Sequence, residues 1–591
     1  MGGIGKTTLT KKLFVNALVK EDFHIRAWTT ISQTYNVREI LREVLLQASG
    51  ESSDLSENDL GNKLYKYLSG RRYLVIMDDD MWSIEVWDRI KFFFPDYQNR
   101  SRIIVTTRLS NLGSQLNESY TVDMQFLDEV NSWGLFCKIV FGKERCPLDL
   151  EDIGRNIVAN CKGLPLTIAT IGGLLSKFKC TREFWKCIGK NLKSIVTNSS
   201  DGFCLKILRM SYICLPNYLK PCFSYMGIFE EDHNIRVSML EKLWVSEGFL
   251  KPRSGKCLET IAKECFNELV DRNLVLVDEL GLSGNVKYCK IHDLLRDLCL
   301  KEVERERFHH VIRDSPLTIN TERRVVFSVK SERLLTTEVL GSLSHARSIL
   351  LFVHCLYQIP PEVRLPHNLR LLRTFKVYDE VTSSGSYILD NVFELVNSRY
   401  LAVRVHDKSK FPSSIDKLWN LHTLIIHSRE HLDAPSEIWK LHQLRYLESH
   451  QLILPNPPSS NSGIVIKGVL NLFLNEEVVK RIPNVTKLHL EYDVEERKKE
   501  NSLSHLECLS KLENFHCSTS YGCDFYLQRI SFPHSLKKLY VSGSIGLELE
   551  GLMPNIGSLP LLEKLVLKAG SFCSGKWETT EEASSMPFKP T

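Results

Sequence analysis

Residues 1–8 read MGGIGKTT and residues 73–80 read YLVIMDDD, and the fold of the first part of the chain turns on whether the two belong to one site. The first holds the GKT core of a phosphate-binding loop. Gly3 and Gly5, with Ile4 between them, let the backbone approach phosphate oxygens. Lys6 offers a point charge to the β- and γ-phosphates, Thr7 can ligate Mg²⁺ through its hydroxyl, and Thr8 is a weaker phosphate contact. Taken alone, such letters describe a glycine-rich tail equally well. Behind them Leu9, Leu13 and Ala17, with Phe14 and Leu18, recur at helical spacing and predict an amphipathic helix.

The second stretch supplies the partner. Tyr73–Met77 is a short apolar run of strand formers ending in three acids, the pattern of a buried parallel strand with carboxylates at its carboxyl end. Asp78 is placed to hold the Mg²⁺ shell and Asp79 to orient or deprotonate a water, while Asp80 adds a third negative charge beside them. Without the loop, an acidic turn after a core strand would explain these letters. The runs at 24–31 (HIRAWTTI) and 102–107 (RIIVTT) predict two further strands, the second delivering Arg108 to the same edge, where it can sense a terminal phosphate. Helical patterns separate the strands, so the order predicts a doubly wound α/β sheet that binds its ligand at the carboxyl ends of the strands. The strand and first glycine that normally precede such a loop would fall before Met1, and the expectation is an N-terminally shortened chain. An orphaned buried polar group costs roughly 1–3 kcal/mol against a total stability of about 5–15 kcal/mol, so the sheet would be weakened.

The whole chain has 591 residues and 68.0 kDa, enough for several domains, and its charged and hydrophobic fractions of 25% and 43% exclude collagen-like and disordered classes. A net charge of +5 over this length predicts no dedicated nucleic-acid site. The 17 cysteines show no CxxC pairs, which disfavours structural zinc and a disulfide framework. The longest uncharged apolar stretch, 163–176, is too short to span a bilayer, and no secretory signal opens the chain. The expected location is therefore cytoplasmic, with membrane contact at most peripheral.

From about residue 340 an LxxLxL frame takes over. Leu421, Leu424 and Ile426 are followed by Leu444 and Leu447. Later frames are Val485, Leu488, Leu490; Leu512, Phe515, Cys517; Leu536, Leu539, Val541; and Leu562, Leu565, Leu567. Their spacing fits a leucine-rich solenoid, whose leucines are core and whose intervening positions form a recognition face. The longer gap from Leu444 to Val485 holds LPNPPSSNSG at 454–463 and reads as a flexible insertion. The run EERKKEN at 495–501 reads as a solvated turn.

Eight motifs in order carry a resemblance: GGIGKTT (2–8), IRAWTTISQ (25–33), YLVIMDDDMW (73–82), SRIIVTTR (101–108), SWGLF (132–136), GLPL (163–166), LKPCFSYMGIFEED (219–232) and IHDLLRDL (291–298). The chain resembles plant NB-ARC leucine-rich-repeat immune receptors of the coiled-coil type, the late-blight-resistance-like group. The resemblance implies a P-loop nucleotide-binding domain over 1–127, a helical domain over 128–205, a winged-helix domain over 206–312 and leucine-rich repeats over 313–591. It also implies that Pro165 packs beside adenine and that His292 meets the β-phosphate of ADP. Asp293 would position that motif, and Ile291 replaces the family's methionine.

The function so implied is an ADP/ATP switch with Mg²⁺, closed by ADP and opened on sensing a pathogen effector or a guarded host protein through the repeats. Self-association and hypersensitive cell death would follow. Any ATPase activity would be slow, with Asp79 and Arg108 as its catalytic groups. Two alternatives stand beside it: an interaction protein acting as decoy or regulator through its repeats, and a continuously cycling P-loop ATPase.

Overall fold

The computed structural model describes residues 2–571 apart from 32–35, 51–54, 79–83, 118–119, 178–180, 198–202, 254, 282–283, 307, 313–322, 330–336, 354–364, 366, 378–391, 405–410, 429–430, 456–464, 471, 473, 475, 493–502, 504, 520–529 and 549–551. The chain divides into two compact units, one of Met1–Val237, Lys263–Gly281 and Asn285–Glu302, the other of Ser238–Ala262, Leu282–Gly284 and Val303–Thr591.

The first unit opens with helices α1 (Lys6–Val15) and α2 (Ala17–Asp22), then strand β1 (Ile25–Thr30), α3 (Val37–Ser49), α4 (Glu57–Leu68), β2 (Tyr73–Asp78), α5 (Ile84–Ile90), β3 (Arg102–Val105) and α6 (Ser110–Asn117). The strands form a parallel sheet in the order β1-β2-β3, with Thr30 opposite Asp78 and Ile76 opposite Ile104. Every residue of β2 is buried, as the continuous apolar run requires of a central strand. β3 is an edge strand among the described residues, and its Ile103, Ile104 and Val105 are only half-buried. α3 and α4 put their apolar stripes on the sheet: Val37, Ile40, Leu41, Val44 and Leu45 from one, Leu60, Leu64 and Leu68 from the other.

The predicted first helix differs from expectation. It breaks at Asn16, whose side chain caps α2 by accepting from the Leu18 amide. Its apolar stripe is also not covered, because Leu9 and Leu13 are exposed, Leu18 is 74% exposed, and Thr10 is the buried residue of α1. The spacing is helical, but no described strand lies across that face. Phe14 instead packs edge-on against Trp28 and under the Arg26 guanidinium.

Next come α7 (Glu129–Phe141), α8 (Leu148–Asn160), α9 (Pro165–Ser176), α10 (Arg182–Thr197), α11 (Phe203–Ile213) and α12 (Lys220–Tyr225). A helical core centred on Phe136, Trp185 and the buried face of α9 holds this layer together. Short strands β4 (Ile235–Arg236), β5 (Leu276–Leu280) and β6 (Val286–Lys290) pair antiparallel in the order β4-β6-β5. They lie in sequence among α13 (Val237–Glu247), α14 (Leu258–Asp271) and α15 (Asp293–Glu306), the make-up of a winged helix.

The second unit is built on one long parallel sheet. Its strands are β7 (His310–Ile312), β8 (Arg324–Val329), β9 (Ser348–Val353), β10 (Thr374–Lys376), β11 (Tyr400–Arg404), β12 (Thr423–His427), β14 (Tyr446–Ile453), β15 (Val465–Leu470), β16 (Lys487–Tyr492), β17 (Asn514–Thr519), β18 (Lys538–Glu548) and β19 (Lys564–Ser571). A short β13 (Leu432–Asp433) lies beside β14. Leu488, Phe515, Leu539 and Leu565 stand in register, as do Leu490, Cys517, Val541 and Leu567. These frame positions form one continuous core.

Two features are not visible in the leucine frame. The gap between Leu444 and Val485 contains a further strand, β15, with Ile466 aligned between Leu447 and Leu488. The gap therefore holds two repeats, one of them lacking the leucine signature, and the pairings of β15 with both neighbours carry a register shift. Most of the segment that reads as an insertion, and all of 495–501, lie outside the described residues. The solenoid also begins earlier than its leucines announce, at β7 and β8, where Val325 and Phe327 fill the core.

The inner face of the sheet is covered over its early strands. Thr374 and Tyr400 alternate with the core positions yet are buried, because residues 238–262 lie over them. There Glu247 pairs with Arg324 at 2.7 Å and accepts from the Ser348 hydroxyl, Ser246 meets Thr374, and Glu259 takes two bonds from Arg445 at 2.8 and 2.9 Å. At the strand entrances the backbone runs in a ladder, each N–H donating to the preceding carbonyl through Arg347, Arg373, Arg399, His422 and Arg445. Burial, then the neighbouring Arg445 and Arg399, pushes the His422 imidazole down to about 4.

Candidate functional site

The Gly2–Gly5 turn has two glycines at positive φ, Gly3 at 76° and Gly5 at 105°, and leads into α1 so that Lys6, Thr7 and Thr8 form the first helical turn. This is the geometry in which helix-initial amides point at an anion. Ile4 is buried and anchors the turn, while Lys6 and Thr7 are partly exposed and Thr8 exposed. Space beside Gly5 is open: a Cβ built there would meet nothing within 4 Å. Thr10 steadies the turn from below by donating its hydroxyl to the Lys6 and Thr7 carbonyls.

At the end of β2, Asp78 is 2% exposed and accepts a 2.7 Å hydrogen bond from the Thr106 hydroxyl, just past β3. A buried carboxylate needs such a partner. Asp79 and Asp80 lie outside the described residues. Two residues beyond Thr106, Arg108 donates from Nη2 to Asp293 Oδ2 in a close ion pair across 185 residues of sequence. Both side chains are largely withdrawn from solvent, at 22% and 7%.

The GLPL and IHD segments reach the loop by contacts the motifs did not disclose. Pro165 starts α9, where a missing N–H costs nothing. The next amide, Leu166 N–H, donates to the Gly3 carbonyl at 3.2 Å, and the Leu166 Cβ sits 2.7 Å from where a Cβ on Gly3 would be. Gly163 is needed for its own reason, since at φ +70° a side chain would strike the Leu127 carbonyl 2.3 Å away. On the other side Leu294 packs on Gly2. His292 ends the loop into α15, and its Nδ1 accepts the Leu294 amide at 3.2 Å, which fixes the ring and puts the neutral tautomer's proton on Nε2. Ile291 is buried, as a packing position should be.

The structure thus brings the loop, Asp78, Arg108, the start of α9 and the start of α15 into one neighbourhood within the first unit. Sequence reasoning missed Thr106, Leu166 and Leu294. Only Thr106 had a signal, a hydroxyl directly beyond a strand whose neighbour ends in an acid. Among the described residues no cluster of three or more metal-binding side chains occurs, and no helix is long and apolar enough to cross a membrane.

Residues 1–146 match the NB-ARC domain, 228–299 the disease resistance protein winged helix domain and 345–573 a leucine-rich repeat region. A putative late blight resistance protein homolog of Solanum demissum is 35% identical over 492 residues, covering 80% of this chain and 37% of that protein. Late blight resistance protein R1-A of the same species is 35% identical over 467 residues, covering 76% of this chain and 36% of that protein. The chain thus spans little more than a third of the length of these relatives. Among solved structures, a signal-transduction ATPase with a tetratricopeptide repeat sensor from Pyrococcus horikoshii aligns at 18% identity and a TM-score of 0.30, covering 52% of this chain and 40% of that one. With these domains in this order, the chain belongs to the NB-ARC leucine-rich-repeat disease-resistance proteins.

Proposed function

We propose that the chain is the nucleotide-controlled part of a plant immune receptor, in which ADP stabilises a closed arrangement and exchange for ATP releases it. The observation that carries this reading is the Arg108–Asp293 ion pair. Arg108 stands at the strand edge where a terminal phosphate would lie, and Asp293 belongs to the IHD motif. A γ-phosphate would compete with the carboxylate for the same guanidinium, so ATP and ADP would differ in how strongly they favour the paired state. Such a difference is the requirement for any ligand to shift a conformational equilibrium.

The residues present fit a nucleotide. The open space beside Gly5 and the first turn of α1 suit phosphate oxygens, with Lys6 supplying charge. Thr7 and the buried Asp78 would hold Mg²⁺, which would neutralise phosphate charge when bound. Pro165 would flank the base, and His292 would offer Nε2–H to the β-phosphate. We adopt the division at 127, 205 and 312 as the domain scheme. Effector or host-protein sensing through the repeats, self-association and a cytoplasmic location complete the proposal.

A second reading, an interaction protein acting through its repeats, is favoured by the half-buried β3 and the uncovered apolar stripe of α1. Nucleotide released on denaturing the purified chain separates the two. The switch predicts about one ADP per chain, none in Lys6→Ala, and at least about tenfold faster exchange in Asp293→Val, a change worth roughly 1.4 kcal/mol. A well-folded chain without nucleotide, or an Asp293→Val variant that exchanges like the parent, overturns it.

A further inference from the structure

We propose that the inner face of β16–β19 is the docking surface for an acidic, extended segment of a protein partner. This rests on the reading above that the repeats receive a protein, and it specifies where and with what chemistry. Side chains alternate across a strand, so burial of Leu488 and Leu490 in the core puts Lys487, His489 and Glu491 on the opposite face. The register carries this face across to His516, then to Lys538 and Tyr540, then to Lys564 and Lys568. Unlike the buried inner positions of the early strands, these residues are exposed or half-buried.

Among the described side chains of this face the charge is one-sided, four lysines against Glu491. Lys538 and Lys564 stand directly opposite each other on adjacent strands, a like-charge pairing that disfavours the sheet unless an anion lies over it. Lys537, one residue earlier, is by contrast already paired with Glu513 at 2.8 Å. The covered half of the same sheet shows how such cations are met, because Arg324 and Arg445 each receive a glutamate from the overlying segment.

Between the lysines runs a stack. The His489 and His516 rings lie 3.7 Å apart and nearly parallel, Tyr540 meets His516 edge-on at 3.9 Å, and Lys568 sits 5.5 Å from the Tyr540 ring. The ring faces are thus engaged with one another, which argues against stacking of nucleic-acid bases, and the lysine ammonium groups and the Tyr540 hydroxyl are the donors this face offers to carboxylates. Glu491, 3.4 Å from His489, would repel a dense polyanion but tolerates carboxylates spaced along a peptide. An extended peptide crossing the strands places alternate side chains roughly 7 Å apart, against a strand spacing of about 4.8 Å, so two or three carboxylates span the lysines.

The test uses the full chain and three fluorescent probes: a 12-residue peptide alternating Glu and Ala, its Gln–Ala counterpart, and inorganic polyphosphate. The expected result is binding of the Glu peptide alone. Lys538→Ala with Lys564→Ala should weaken it about fivefold to tenfold, as should the Gln pair, and His516→Ala about threefold, while Lys440→Ala elsewhere on the solenoid should not. Melting curves equal to the parent's confirm that the variants fold. Unchanged affinity in both double variants overturns the proposal, as does polyphosphate binding that needs Lys538 while the peptide binds nowhere. Nucleotide retention in the same variants keeps the outcomes apart: its loss only in Lys6→Ala leaves the docking result to stand or fall alone.

Discussion

In the three-stranded sheet, β2 is buried along its whole length, and the side chains of chemical interest that the sheet supplies, Asp78, Thr106 and Arg108, lie at or beyond the carboxyl ends of its strands. In the later solenoid, over β16–β18, each strand is buried on one face only and offers alternate side chains along the other. Both sheets are parallel. What differs is how many contacts fix a functional group. Asp78, Thr106 and Arg108 each occupy a unique place set by a strand terminus and a handful of partners. His516 or Lys538 repeats a placement made again on every neighbouring strand. The first arrangement suits a site where one atom out of place matters, and the second suits a surface whose chemistry is the sum of many positions.

The comparison is sharpened most by a core change in the solenoid. Leu488→Ala removes a buried side chain aligned between Ile466 and Phe515, and should cost about 2–5 kcal/mol. Hydrogen exchange should show the loss concentrated in β15–β17 and absent from β1–β3. Equal loosening in both sheets would break the distinction.

Gly3→Ala tests the strand-end site. It combines positive φ with a Cβ 2.7 Å from that of Leu166, and about 2–3 kcal/mol of destabilisation is expected, together with loss of nucleotide. Gly5→Ala, strained but in open space, should cost only about 1 kcal/mol. Chemical denaturation monitored in parallel ranks the two, and a reversed order would contradict the packing described.

A smaller effect concerns pH. The His422 imidazole titrates near 4 when folded against an ordinary 6.5, so the unfolded chain takes the proton first. Its contribution is fully present above about pH 6.5 and is lost as pH falls towards 4. Partial exposure limits this to about 1–2 kcal/mol. His422→Gln should therefore flatten the pH dependence of solenoid stability in that window, measured as the difference in melting temperature between pH 7 and pH 5. The smallest effect belongs to the open inner face, where Lys538→Ala should change stability by less than about 0.5 kcal/mol or raise it slightly, by relieving Lys564. A large loss there would mean the lysine is structural.

What was legible in the sequence follows the same division. Periodicity reported the buried β2 and the register of Leu488, Phe515 and Leu539, because a strand that buries one face or two must repeat its apolar residues. β15 escaped because Ile466 is followed by Lys467 and Gly468, so its core position carries no leucine frame. The exposure of Leu9 and Leu18 escaped because spacing tells which side of a helix is apolar and not whether anything covers it. The ion pair of Arg108 with Asp293 was beyond reach: both residues had been singled out, but no period relates charges 185 residues apart.

The bond from the Leu166 amide to the Gly3 carbonyl is made of main-chain atoms on both sides. No exchange of one side chain for another deletes it, save proline at 166, which has no hydrogen to give. The seam between the phosphate loop and α9 is therefore open to point substitution chiefly at Gly3, where an added Cβ would press on Leu166. On the proposed switch, variation that retunes opening would act through the residues around that seam, or through whatever occupies the loop.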